Sequence, residues 1–226
     1  MLFSNSSGRN YCMPQIHNFI FDIDGTLINT IDMYMPAMFE ILTKHGYTYT
    51  PEQHDKIFKE GFGITADDAL RMGNVSENDI RPIQEEWFKL AYTRQNRVSV
   101  FPGIKEMLDD LSKRDDAHLA IATSKLAYEY ANFKHRYFFA DLFKTVITSE
   151  DTDKHKPNPD PILAAVDKMG ADKATTVYIG DTINDLKAAH AAGVKFAAAV
   201  YGSANPTAIQ DGADFILKTP TDLEKY

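Results

Sequence analysis

Six short apolar runs rich in β-branched or small residues recur along the chain, at 16–21, 119–123, 145–148, 176–179, 196–200 and, more weakly, 214–217. Each has the length of a buried strand. Helix-length segments at 104–114, 126–138, 161–169 and 183–192 separate the later runs. Strands that alternate with helices need crossover connections, and crossovers make a sheet parallel with helices on both faces. The expected fold class is therefore α/β. The punctuation agrees: Gly193 stands where the 183–192 helix needs a left-handed C-terminal cap, and Pro102-Gly103 marks a turn into the 104–114 helix.

The interval 31–97 breaks this alternation. It shows no strand pattern, but helical spacing links Ile31, Met35, Met38 and Leu42, and again Ile83, Trp87, Leu90 and Ala91. A stretch of this length is too long for a loop in a compact domain and is expected to be an inserted helical cap. Residues 14–30 and 98–226 then form the core, with hinges near 29–31 and 97–101, and 1–13 form an N-terminal extension. That extension lacks the apolar run of a signal peptide, and no segment reaches the length of a membrane span. A single cysteine, Cys12, allows no intrachain disulfide, and the expected setting is a reducing cytoplasm. With 24 Lys and Arg against 32 Asp and Glu, the net charge of −8 argues against a nucleic-acid or anionic-membrane partner. Net charge does not set the oligomeric state, so any self-association is left open.

The chemistry-bearing residues cluster where the strands end. Asp22 and Asp24 follow the first apolar run, at the carboxyl end of a strand where open parallel sheets bind ligands, and Gly25 permits a sharp turn after them. Read as a calcium loop, the same segment would place Leu27 and Met33 where glycine and glutamate are required. The fourth run ends similarly, in Gly180-Asp181-Thr182-Ile183-Asn184-Asp185. Brought together, these acids repel one another unless a hard divalent cation, magnesium being the natural choice, takes them as oxygen ligands. Asp185 at a helix start would also simply offset the helix dipole. Thr123 and Ser124 close the second run before a helix and can cradle an anion, although a plain helix cap uses the same residues. Lys156 lies in a segment stiffened by Pro157, Pro159 and Pro161; held there it can neutralise a phosphoryl group, whereas a free lysine in such a loop is solvated surface.

In order and spacing, Asp22-Ile23-Asp24-Gly25-Thr26, Thr123-Ser124, Lys156-Pro157 and Gly180-Asp181-Thr182-Ile183-Asn184-Asp185 resemble the four motifs of the haloacid dehalogenase superfamily. The likeness spans 16–202, and the helical insertion resembles the cap of its phosphoglycolate phosphatase-like branch. This resemblance implies a Rossmann-like core and a magnesium-dependent phosphatase acting on a small phosphorylated metabolite, such as a phosphoglycolate-like monoester or pyrophosphate. Asp22 would be the nucleophile and form an aspartyl phosphate, and Asp24 the general acid and base. Magnesium would sit on Asp22, the Asp24 backbone carbonyl and Asp181, with Asp185 in support directly or through water. Gly25, Thr26, Thr123, Ser124 and Lys156 would hold the phosphoryl group, with Thr123 and Lys156 sharing in catalysis. The intact Asp24 argues against dehalogenation, and the intact Asp-x-Asp-Gly-Thr pattern against phosphonate hydrolysis. A sugar phosphomutase of the β-phosphoglucomutase type is the alternative, although such enzymes generally carry histidine where this chain has Tyr34 and a cap arginine near 61–70. A non-catalytic phospholigand-binding protein would not need Asp24. Eight cap cations, Lys44, Lys56, Lys59, Arg71, Arg81, Lys89, Arg94 and Arg97, are open candidates to meet a second anionic group on a substrate.

Overall fold

The computed structural model describes residues 15–226; the extension expected at 1–13, with Cys12, lies outside the described residues. The chain runs β1 (Asn18–Phe21), β2 (Ile28–Asn29), α1 (Ile31–Lys44), α2 (Pro51–Gly61), α3 (Ala66–Met72), α4 (Glu77–Tyr92), β3 (Ser99–Val100) and α5 (Ile104–Ser112). It continues through β4 (His118–Ala122), α6 (Ala127–Arg136), β5 (Thr145–Ile147), α7 (Asp160–Met169), β6 (Thr176–Gly180), α8 (Ile183–Ala192), β7 (Lys195–Ala199), α9 (Pro206–Gln210) and β8 (Phe215–Leu217). Six strands form one parallel sheet in the order β5-β4-β1-β6-β7-β8. This is the α/β architecture that the alternation of runs requires.

The strands read as continuous apolar runs because both faces of the sheet are covered. Phe19 and Phe21 of β1 point to one side, packing with Ile121, Ile179 and the apolar stripe of α5 at Ile104, Met107, Leu108 and Leu111. Ile20, between them in sequence, points to the other side and packs with Tyr178, Ile162 and Ala189 under α7 and α8. The strand period of two thus sorts one segment into two cores. β1 is the central strand, with Phe21 registered against Ile121 of β4 and Ile179 of β6. The chain moves outward from β1 through β4 to β5, then crosses to build β6, β7 and β8 on the other side. A crevice opens at the carboxyl end where the winding direction reverses.

Helices α1 to α4 share a separate core of Met33, Met38, Leu42, Leu70, Ile83 and Trp87. The buried Trp87 indole donates to the Tyr34 carbonyl at 2.8 Å, so its N–H is satisfied inside that core. The two connections to the sheet unit run side by side as the antiparallel β2–β3 pair, Ile28 against Val100 and Asn29 against Ser99. Apolar periodicity identifies α1 and α4 but not α2, in which only Ile57 and Gly61 are buried. Its signal lies in end chemistry instead: Thr50 accepts from the Gln53 N–H, Gln53 accepts in return, and Pro51 opens the helix.

Most boundaries shift by one or two residues from the sequence reading, as at α5, which ends at Ser112, and β1, which begins at Asn18; two of the differences have a clear local cause or consequence. The helix expected over 126–138 ends at Arg136, because Tyr137 adopts extended backbone and Phe138–Leu142 form a separate 3-10 turn. The strand expected over 119–123 begins at His118 and ends at Ala122, which leaves Thr123 beyond the sheet at the mouth of the crevice. Among the described residues, no helix is long and apolar enough to cross a membrane.

Candidate active site

The carboxyl ends of β1, β4 and β6 converge on Asp22. Its side chain is buried and doubly held: Oδ1 accepts from the Ile23 N–H at 2.7 Å and Oδ2 from Lys156 Nζ at 2.9 Å. Lys156 reaches in from the loop before α7 and also donates to Asp185 Oδ1 at 2.7 Å and to the Tyr178 hydroxyl at 3.0 Å. It is buried and is not a solvated surface group. Burial works against its charge, but the Asp185 and Asp22 carboxylates outweigh that effect and raise its pKa, so it remains an ammonium.

Asp22, Asp181 and Asp185 each bring a carboxylate oxygen within 4.8 Å of the others. Asp181 Oδ1 accepts from Thr26 Oγ1 at 3.2 Å, but Oδ2 is buried without a hydrogen-bond partner. An orphaned carboxylate oxygen beside two other acids is suited to a hard cation. The charge balance agrees. Asp22, Asp181 and Asp185 face one ammonium group within the cluster, Lys156, which leaves two negative charges for a divalent ion to offset. Gly25 makes room for this cluster: its φ is +73° and a Cβ there would stand 2.1 Å from Asp181 Oδ2, so any side chain would strike the acid.

Asp185 is also held by the protein itself. Oδ2 accepts from the Thr182 N–H at 2.9 Å and from Thr182 Oγ1 at 2.6 Å, closing a capping box at the start of α8, while Oδ1 receives Lys156. The carboxylate therefore orients Lys156 and locks the loop that carries Asp181. The structure also separates residues that the motifs group together. Asp22, Asp24, Thr123 and Ser124 line an open cavity of about 340 Å³ between the sheet unit and the helical cap. Gly25 and Thr26 face the acid cluster instead. Ser124 Oγ donates to the Gly63 carbonyl at 3.3 Å, tying the cap turn at Gly61-Phe62-Gly63 to the sheet unit. Thr123 Oγ1 accepts from the Lys125 N–H at 3.3 Å.

The sequence reading assigned no role to the group around Asp24. Lys125 Nζ lies 2.7 Å from Asp24 Oδ2, and Thr30 Oγ1 donates to Asp24 Oδ1 at 2.6 Å. Lys125 also approaches the Tyr34 hydroxyl at 3.4 Å, and that hydroxyl donates to Glu129 Oε1 at 2.9 Å. Burial disfavours the Lys125 charge, but Asp24 and Glu129 more than compensate and raise its pKa. The available signal was a lysine directly after Thr123-Ser124, at a strand end. Of the eight cap cations, Arg71 alone lines the cavity, and it is paired with Glu77 and Asp68.

Electrostatic crowding has a measurable consequence without metal. Burial, resisted by Lys156 and reinforced by Asp185, pushes the Asp22 pKa from 3.8 up to about 6, and burial with Asp185 and Asp22 raises Asp181 in the same direction. The folded protein then holds the Asp22 proton more tightly than the unfolded chain does. Its stabilising effect is present below the unfolded pKa and is lost as pH rises through the folded value, a change of about 3 kcal/mol between about pH 4 and 6. Urea unfolding in chelator should show Asp22→Asn gaining on the parent protein by roughly that amount from pH 4 to pH 7. A pH-independent difference would contradict this electrostatic account.

The family profile described as Haloacid dehalogenase-like hydrolase matches residues 19–199. The chain is 27% identical over 209 residues to an N-acetylmuramic acid 6-phosphate phosphatase of Pseudomonas aeruginosa, covering 90% of this chain and 91% of that one. It is 26% identical over 217 residues to the pyrophosphatase PpaX of Halalkalibacterium halodurans, covering 92% and 95%. Among solved structures, a Lactobacillus plantarum protein whose assignment as a phosphoglycolate phosphatase is provisional superposes with a TM-score of 0.83, at 27% identity over 94% of this chain and 99% of that chain. With most of its length matched by the profile and the motif acids gathered at the sheet's switch point, this chain belongs to the haloacid dehalogenase-like hydrolase family.

Proposed function

We propose that the protein is a magnesium-dependent phosphatase that transfers the phosphoryl group of a small phosphorylated metabolite to Asp22 and then to water. The observation that carries this reading is Asp22 itself, a buried carboxylate fixed by Ile23 N–H and Lys156 at the floor of a cavity that Asp24 also lines. In the first step an Asp22 oxygen forms a bond to phosphorus while the bond to the leaving oxygen breaks, and Asp24 donates a proton to that oxygen. In the second, Asp24 takes a proton from water, the water oxygen bonds to phosphorus, and the bond to Asp22 breaks. Inorganic phosphate leaves and Asp22 is restored.

Asp22, Asp181 and the Asp24 backbone carbonyl would hold magnesium, which when bound offsets the charge of one anion approaching another. Asp185 supports the site through Lys156 and the α8 cap. Lys156 and the Thr123–Ser124 segment would receive the phosphoryl oxygens, where transition-state charge collects. Lys125 and Thr30 each hold one oxygen of Asp24 and so act as positioning residues, keeping it aimed over the cavity. The β2–β3 pair would serve as the hinge through which the cap opens to admit substrate and closes to exclude water.

Phosphate release from acetyl phosphate should require added magnesium, stop in excess chelator and return when magnesium is restored. Release that survives exhaustive chelation would sink the metal-dependent reading. Absence of release from acetyl phosphate and from glucose 6-phosphate alike by folded, magnesium-loaded protein would sink the phosphatase.

A further inference from the structure

The cavity reaches well beyond the phosphoryl site. Its volume of about 340 Å³ is that of a small-molecule site and leaves more room beside a phosphoryl group than the two-carbon acid of phosphoglycolate would fill. Its outer wall is apolar and aromatic at Met35, Phe62, Ile64, Trp87 and Phe88, with neutral polar groups at Gln84 and Ser124. Such a mixture suits a ring-sized ligand with both C–H and hydroxyl faces.

The charge on this wall is one-sided. Asp67, Asp68, Glu129 and Glu150 line it in addition to Asp22 and Asp24, six acids against one lysine and one arginine; Asp68 is paired with Arg71, Glu129 accepts from the Tyr34 hydroxyl and the Leu126 N–H, and Glu150 accepts from the Ala127 N–H. Of its lysines and arginines, Lys125 is held by Asp24, and Arg71 is held by Glu77 at 2.8 Å and Asp68 at 3.1 Å. His155 is the other basic side chain on the wall. A second anionic group on a substrate would therefore meet acids and committed cations, a like-charge encounter that disfavours its binding.

We infer that the preferred substrate is the phosphomonoester of an uncharged, sugar-sized polyol, whose phosphoryl group is its only anionic part. This rests on the phosphatase reading and narrows it: phosphoglycolate and pyrophosphate, each with a second anionic group, are poor substrates. Discrimination arises from repulsion by the acidic wall as well as from contact with the ring.

Glucose 6-phosphate and 6-phosphogluconate provide the test together with glucitol 6-phosphate, the neutral open-chain control that differs from 6-phosphogluconate by one carboxylate and should follow glucose 6-phosphate. With magnesium present, kcat/KM for glucose 6-phosphate should exceed that for 6-phosphogluconate, phosphoglycolate and pyrophosphate by at least about tenfold. Asp67→Lys, which adds a cation to the wall, should narrow the ratio of glucose 6-phosphate to 6-phosphogluconate by at least about threefold. Acetyl phosphate, which presents no second anion and does not span the cavity, is assayed in parallel to separate the two ideas. If it is hydrolysed but 6-phosphogluconate or phosphoglycolate matches or exceeds glucose 6-phosphate, or if glucose 6-phosphate is not turned over, the substrate inference is overturned and the phosphatase stands. If acetyl phosphate is not hydrolysed either, both fail.

Discussion

Asp22→Asn should lower phosphate release by a factor on the order of 10⁴–10⁶, the scale of loss when an enzyme's covalent nucleophile is removed. The amide nearly preserves the shape of the carboxylate and keeps an oxygen for the Ile23 N–H or for Lys156, so the fold should survive. What it loses is the anionic oxygen that must bond to phosphorus. Two measurements separate this from a general disturbance of the site. Acid-quenched parent protein should retain a phosphoryl group from labelled acetyl phosphate that hydroxylamine releases, as an acyl phosphate does, and Asp22→Asn should retain none. Its metal-free stability at pH 7 should meanwhile equal or exceed the parent's, because one member of a crowded acidic cluster has been neutralised. A variant that keeps even one tenth of the parent rate would rule out Asp22 as the attacking group.

Lys156→Met should destabilise the metal-free protein by about 3–5 kcal/mol, the usual cost of stripping one partner from a buried charge pair. The lysine serves Asp22 and Asp185 at once, at 2.9 and 2.7 Å, and each of these groups is nearly sealed from solvent. Without it, Asp22, Asp181 and Asp185 would lack a compensating cation within the cluster. Methionine fills similar volume, so the loss reports charge more than packing. Two recoveries should follow. Excess magnesium should restore part of the stability, because it binds the folded cluster and not the unfolded chain. Adding Asp185→Asn to Lys156→Met should cost less than the two single changes together, since the second change removes an acid the first left unpaired. Urea unfolding at pH 7.5 reads all three proteins. A loss under 1 kcal/mol for Lys156→Met, unaffected by magnesium, would mean that the lysine does not balance this cluster.

The sites of Asp22, Asp24, Thr123 and Asp181 were legible because strand ends carry a local signature. An apolar run stops, a turn residue follows, and polar groups at that point lie at the carboxyl edge of a parallel sheet. The β1 segment shows it within ten residues. The same short-range grammar finds Gly193 at the end of α8, where φ is +77°. Apolar periodicity does not find α2, whose surface is mostly exposed; only its capping box and Pro51 mark it.

Other features depend on chain segments that meet only after packing. Lys156 and Asp22 lie 134 residues apart, and Tyr34 and Glu129 lie 95 apart. Nothing in the local spacing of either partner specifies the other. Lys125 illustrates the point: in sequence it is a lysine between a strand end and a helix start, and in the fold it holds Asp24 while Tyr34 and Glu129 close around it. The same holds for Asp185, whose spacing brings it to the acid cluster but does not show that Thr182 and Lys156 also hold its carboxylate. Strand and helix periods, turns and caps are set by neighbours a few residues away, so the α/β class and the positions of the motif acids could be read from the chain. The pairing of buried charges is set by desolvation, which forces each to find a partner among whatever the packed elements bring within reach. The acidic, cation-poor wall of the cavity is a property of that packing, and no segment of the chain displays it alone.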